Sequence, residues 1–305
     1  MSANYLPLFS PRTLVADQPT MPETGDGAPA SVYVFSDEIT LAVNVALATG
    51  RPLLVRGTSG SGKTSLARSV AMQMGASYRE AVVTARTQAR DLMWVTDLLR
   101  RLQDAQAGKL SADWRSYVIP GPLWWAFDPA SAQAQQRRAM PAEPAPAVPA
   151  SGRRVLLIDE IDKADPDVPN SLLRPIGDLA FEVEESGERV TASQPAPFIV
   201  ITTNEERDLP PAFLRRCVEL NIRPFARARL MAIGQAHFPE AAPELIAAAA
   251  DLVLQAGQLR DRREPNPAEY LDVLRACRQL GINQSSTVFR QMAAIALGTD
   301  AERAP

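Results

Sequence analysis

Residues 52–65 read PLLVRGTSGSGKTS: a short apolar run, a glycine-rich loop and the start of a helix. Within it, Gly57-Thr58-Ser59-Gly60-Ser61-Gly62-Lys63-Thr64 fits GxxxxGK[ST], and the strand–loop–helix setting is the one this phosphate-binding loop requires. Glycines let the backbone curl so that successive N–H groups face one concavity, and the following helix adds its positive end. The pattern therefore predicts a nucleotide site in which Lys63 reaches the β- and γ-phosphates and the Thr64 hydroxyl coordinates Mg²⁺. Gly57 to Gly62 and Ser65 complete the cradle.

A second stretch, VLLIDEID at 155–162, ends a buried apolar run in carboxylates. A buried parallel strand delivers its last residues to the carboxyl edge of the sheet, where ligands of such sheets bind. Asp159 is expected in the Mg²⁺ shell, and Glu160 as the group that polarises the attacking water.

Outward from these two segments, short apolar runs alternate with helical patterns. Strands are expected at 52–55, 80–83, 155–158 and 198–202, and helices from Ser36 to Gly50, around Leu66–Met74, at 91–107 and at 170–179. That alternation predicts an α/β fold, a parallel sheet with helices on both faces. From Phe225 the pattern is helical throughout, with segments at 228–237, 243–259, 267–280 and 285–297. The expected organisation is a flexible arm at 1–30, an α/β core at 31–223 and a small helical lid at 224–305, with the break at Arg223-Pro224. Thirteen of the 23 residues at 129–151 are alanine or proline, a composition that reads as a mobile insertion.

Composition removes several alternatives. The apolar runs are far too short to cross a membrane, and no basic segment followed by an apolar core opens the chain. Two cysteines, Cys217 and Cys277, cannot build a disulfide framework or a metal site, and one histidine, His237, cannot supply a histidine-rich one. No GxSxG elbow accompanies that histidine. A net charge of −3 and a pI near 5.4 weigh against a dedicated nucleic-acid binder. Only three of the 32 basic residues are lysines (Lys63, Lys109 and Lys163), so the setting of each carries information.

Three segments together, ALATGRPLLVRGTSGSGKTSLA, LLIDEIDKADPDVPNSLL and ITTNEERDLPPAFLRRC, make the chain resemble an AAA+ ATPase, specifically one of the MoxR group. The similarity runs from about Tyr33 to Ala293. It implies a five-stranded parallel sheet, a helical lid, and a homo-oligomeric ring of six with ATP and Mg²⁺ between neighbours. Asn204 falls on the polar sensor position at the end of the fourth core strand. Arg216 matches the arginine that a neighbouring subunit inserts, with Arg215 as the alternative. At the start of the third lid helix, where a second sensor arginine is expected, stands Ala268, flanked by the capping pair Asn266 and Glu269. Arg262, Arg263 and Arg290 are the candidates to replace that arginine.

All four tryptophans lie within 32 residues, at 94, 114, 124 and 125. Adjacent Trp124 and Trp125 cannot share one face of a strand, so one of them is expected to be available for contact, while most of the four pack inward. Cys217 is expected to be a packed small residue and His237 a capping or partly exposed one. The resemblance implies ATP-driven remodelling of a protein partner, with von Willebrand factor A-type proteins as the associated class, in a cytoplasmic setting. The alternatives are an ATP-dependent nucleic-acid loader or motor, a component of a bacterial conflict system, and a scaffold that binds nucleotide but hydrolyses it poorly.

Overall fold

The structure is a computed structural model, and it describes residues 6–12, 32–144, 146, 152–222, 225–259 and 266–297. It opens with α1 (Asp37–Thr49), which Ser36 caps by accepting from the Ile39 N–H and which Gly50 ends in the left-handed region. β1 (Leu53–Arg56), α2 (Lys63–Gln73) and β2 (Ser77–Val82) follow. A side unit comes next, built from α3 (Ala89–Met93), β3 (Trp94–Thr96), α4 (Leu98–Gln106), β4 (Val118–Pro120), α5 (Pro122–Phe127) and α6 (Pro129–Ala139). The chain then returns through β5 (Arg154–Asp159), a 3-10 turn (Ile161–Lys163), α7 (Asp167–Asp178), the hairpin β6 (Ala180–Val183) and β7 (Glu188–Thr191), β8 (Phe198–Thr203), α8 (Pro211–Leu214) and β9 (Val218–Asn221). It closes with α9 (Arg227–His237), α10 (Pro243–Leu259), α11 (Pro267–Leu280) and α12 (Phe289–Leu297).

The main sheet has five parallel strands in the order β2-β5-β8-β1-β9. β8 is buried along its whole length, as are the first five residues of β5 and the first three of β1, so near-continuous apolar runs form the three central strands. One apolar cluster covers one face through α1 and α2 and continues into α9–α12. The second gathers Leu54, Leu156, Ile158, Ile199 and Ile201 with Trp94, Trp124 and Phe127. Register places the chemistry. Arg56 pairs with Thr203, so the glycine loop leaves β1 beside Asn204, and Ile158 pairs with Ile201, which sets Asp159 next to Thr202.

Four expectations need correction. The helix expected at 91–107 is two helices split by β3, because Trp94 is extended and pairs with Pro120 across the side unit. The segment read as a mobile insertion at 129–151 begins with α6, capped by Asp128 and pinned where Gln135 donates to the carbonyls of Arg115 and Val118. An alanine-rich stretch propagates a helix once a cap starts it. Trp124 and Trp125 are both buried, because they sit on a short helix and not on a strand.

The fourth correction concerns the arm at 1–30. Phe9 is buried, exchanges hydrogen bonds with the Asn44 amide at 2.7–2.8 Å, and its ring meets Phe35. The arm therefore docks on α1 through Phe9 and on α2 through Arg12, whose backbone exchanges hydrogen bonds with Gln73. The remainder of the arm, the break at Arg223-Pro224, and Arg262 and Arg263 lie outside the described residues.

Candidate nucleotide site

Gly57–Thr64 curls as its glycines predict. Gly60 and Gly62 have φ of 80° and 90°, which a side chain would strain, and a Cβ on Gly60 would lie 2.8 Å from Asn266. Lys63 begins α2 and is buried. Its ammonium donates to the carbonyls of Gly57 (2.7 Å) and Thr58 (2.9 Å) and to Asn204 Oδ1 (2.7 Å). Burial pushes it below the ordinary lysine range, against the opposing pull of the carboxylates of Asp159, Asp162 and Glu160. The Ser61 hydroxyl is buried in the loop without a hydrogen-bond partner, an orphan polar atom at the place where phosphate oxygens would arrive.

Thr64 Oγ1 donates to Asp159 Oδ2 at 3.0 Å, and the other carboxylate oxygen accepts from Thr202 Oγ1. One carboxylate and one hydroxyl form an all-oxygen donor set. Among the described residues no cluster of three or more His, Cys, Asp or Glu could hold a metal by itself. Such a sparse set suits Mg²⁺, which binds through one or two protein oxygens while phosphate and water complete its shell.

Glu160 follows with φ 60°, in the left-handed region that non-glycine residues seldom adopt. Its N–H donates to Thr202 Oγ1, its Oε1 accepts from Asn204 Nδ2 at 2.9 Å, and its Oε2 accepts from Lys163 at 2.6 Å. Asn204 thus bridges the two expected chemical groups, its amide oxygen on Lys63 and its amide nitrogen on Glu160. Buried Asp162 accepts from the N–H groups of Asn204 and Glu206, which ties the turn after β5 to the tip of β8. Asp162 and Thr202 carry no expectation from the sequence, and Lys163 stands out there only as one of three lysines. The spacing DEIDK placed all but Thr202 one turn from the expected base, and that was the available signal.

Arg215 and Arg216 are exposed and lie away from this cluster on their own chain. Arg216 donates to the Leu173 carbonyl across the last turns of α7, where a Cβ on Gly177 would fall 2.8 Å from its Nη1. Arg51 holds this corner by donating to the Arg215 carbonyl at 2.8 Å and to that of Cys217. Cys217 is buried and its thiol is pushed up to about 12 by that burial, which fits a packing role.

Beside the glycine loop, a cavity of about 130 Å³ is lined by Tyr33, Val34, Gly60 to Gly62, Arg229, Ile233 and Ala268, among others. Tyr33 Oη and Arg229 Nε are buried there without partners, and burial raises the Tyr33 hydroxyl to about 12, partly opposed by Arg229. Ala268 lies at the start of α11, and among the described residues the arginine that lines this cavity is Arg229, on α9. Arg290 is exposed on α12. Sequence spacing could not find Arg229, because its approach depends on how α9 packs.

Residues 52–217 match the AAA domain family in its dynein-related subfamily. No curated protein matches the chain by sequence. Among solved structures, the chain is similar to a proline-to-glycine mutant of Thermotoga maritima RuvB, with 16% identity and a TM-score of 0.50 over 92% of this chain and 75% of that one. It is also similar to the Thermotoga maritima RuvB Holliday junction branch migration motor, with 15% identity and a TM-score of 0.49 over 92% and 74% of the two chains. At such identity the likeness is one of fold.

Proposed function

The chain belongs to the AAA domain family, dynein-related subfamily, and from that premise we propose that it is a MoxR-like ATPase that assembles into a homo-oligomeric ring and remodels a protein partner. The observation that carries the reading is the bridge Lys63–Asn204–Glu160 beside the Thr64–Asp159 pair. A structural salt-bridge network has no need of a glycine cradle with an orphan hydroxyl at its centre.

In this reading the curled backbone of Gly57–Gly62 and the N-terminus of α2 bind the phosphates of ATP. Lys63 exchanges its loop carbonyls for β- and γ-oxygens, and Thr64 and Asp159 hold Mg²⁺. The metal, when bound, neutralises charge on the phosphoryl oxygens. Glu160 accepts a proton from water as the water oxygen bonds to the γ-phosphorus and the bond to the ADP oxygen breaks. Asn204 keeps the base and the phosphate-binding lysine in register. The cavity lined by Tyr33 and Arg229 receives the base end of the nucleotide. Arg216, or Arg215 in its stead, completes the site of the neighbouring copy, with six copies the number the MoxR resemblance implies.

A protein partner, with von Willebrand factor A-type proteins as the class, is favoured over nucleic acid because the pI is near 5.4. A cytoplasmic setting belongs to the same proposal. It accords with the finding that no described helix is long and apolar enough to cross a membrane.

Glu160→Gln tests the reading. It should bind ATP with wild-type affinity in calorimetry yet hydrolyse it at least about 100-fold more slowly, as expected when a general base is lost. Turnover at the wild-type rate would remove Glu160 from the chemistry. ATPase stimulation by duplex or branched DNA, with none by protein partners, would replace remodelling by a nucleic-acid role.

A further inference from the structure

Lys163 is one of three lysines in the chain, and it is not spent on a distant surface contact. Ile161–Lys163 is a 3-10 turn whose N-cap is Glu160, itself in the left-handed region, and the tight turn folds the chain back on its cap. The turn therefore brings Lys163 over Glu160. The Lys163 N–H donates to the Glu160 carbonyl at 3.0 Å, and its ammonium donates to Oε2 at 2.6 Å. The opposite oxygen accepts from Asn204 Nδ2. The carboxylate is thus stretched between two donors, one on the turn and one at the tip of β8.

The turn itself is fixed, since buried Asp162 accepts the N–H groups of Asn204 and Glu206. The Glu160 side chain is 26% exposed, so the two donors, and not a close-packed apolar wall, set its orientation. The plain alternative is a surface ion pair between residues three apart, a kind of pair that contributes little. Two features separate this one from such a pair. Its acidic member is the proposed base, and the second oxygen of that member is held by the residue that also touches Lys63.

We propose that Lys163 is a positioning residue for the hydrolytic reaction, holding the Glu160 carboxylate against Asn204 while water is activated. This rests on the reading of Glu160 as the base. In this role Lys163 acts through Glu160, the partner of its ammonium.

The test uses the full chain with Mg²⁺ and ATP. Lys163→Met, with Lys163→Ala as a second variant, should lower kcat by about 10- to 100-fold, the range that misplacement of a catalytic group produces, and leave KM and ATP affinity within about twofold. Lys163→Arg keeps a permanently charged donor and should restore most of kcat. In a Glu160→Gln background, Lys163→Met should cause no further fall, because the two residues act as one unit. A fully active Lys163→Met beside an inactive Glu160→Gln would overturn this inference alone. So would a loss that Arg fails to restore, or an equal further fall in the Gln background. Wild-type turnover in Glu160→Gln would overturn the base assignment and this inference with it.

Discussion

Asn204 shows how much a single position can carry. Its amide reads Lys63 with the oxygen and Glu160 with the nitrogen. Its location at the end of β8 was legible because the apolar run before it is so clear. What the sequence could not display was the anchoring by Asp162, which accepts backbone N–H groups more than 40 residues away. Motif spacing finds residues that share a loop, and it is blind to partners supplied by another strand.

His237 makes a separate residue-scale prediction. Burial pushes its imidazole below the ordinary value of 6.5, opposed by the hydrogen bond with the Val32 backbone and reinforced by the charge of Arg275. The unfolded chain takes up a proton below that pH which the folded chain resists. The stability from this group is therefore full above about pH 6.5 and declines as the pH falls through and below it. Because His237 is the only histidine, urea midpoints at about pH 7.5 and about pH 5.5 should differ more for the wild type than for His237→Gln. Equal slopes would show that His237 contributes nothing to the pH dependence.

At the scale of elements, the side unit between β2 and β5 is where sequence reading fared worst. Periodicity suggested one helix at 91–107, yet Trp94–Thr96 pairs with Val118–Pro120, a long-range choice that local pattern does not encode. α4 turns its leucines outward. Leu98, Leu99 and Leu102 are 57–67% exposed, while Arg100 and Arg101 stack over Tyr117 and Trp114. The hairpin of β6 and β7 carries a signal of its own in the sequence. Phe181, Val183 and Val190 face inward around the turn at Glu184–Gly187.

Trp124 locks this unit together. It is fully buried, its ring meets Phe181 edge-on at 6.0 Å, and its Nε1 donates to Ser131 at 2.8 Å. Trp124→Ala should cost about 3–5 kcal/mol in urea unfolding, as large aromatic truncations in cores do. Leu102→Ala on the exposed face should stay within about 0.5 kcal/mol. Comparable losses from both would mean that α4 is packed otherwise than described.

The whole molecule was the most legible scale. A strand feeding a glycine loop, a strand ending in Asp159-Glu160 and a helical remainder are enough to expect a parallel sheet followed by helices, while the number of strands, five, comes from the family resemblance. The strand order places β5, β8 and β1 side by side, which explains how residues from 57 to 204 meet at one edge. Arg216 and its neighbour Arg215 stand outside that edge. Arg216 follows α8 and rests against α7 of its own chain through the Leu173 carbonyl, so its proposed role is in a neighbouring copy. A head-to-tail contact of this kind closes into a ring when the rotation permits. An arginine supplied in trans is worth about 10³–10⁵ in rate, so its absence should be plain.

Mixing two inactive variants tests the shared site most directly. Lys63→Ala should fail to bind ATP, and Arg216→Ala should bind it normally yet hydrolyse it poorly. In a mixture, some interfaces join an intact Lys63 to an intact Arg216 from the adjacent copy. Specific activity should then rise above that of either variant alone and increase with protein concentration. No recovery on mixing, together with wild-type activity that is independent of concentration, would contradict a site built between copies of this chain.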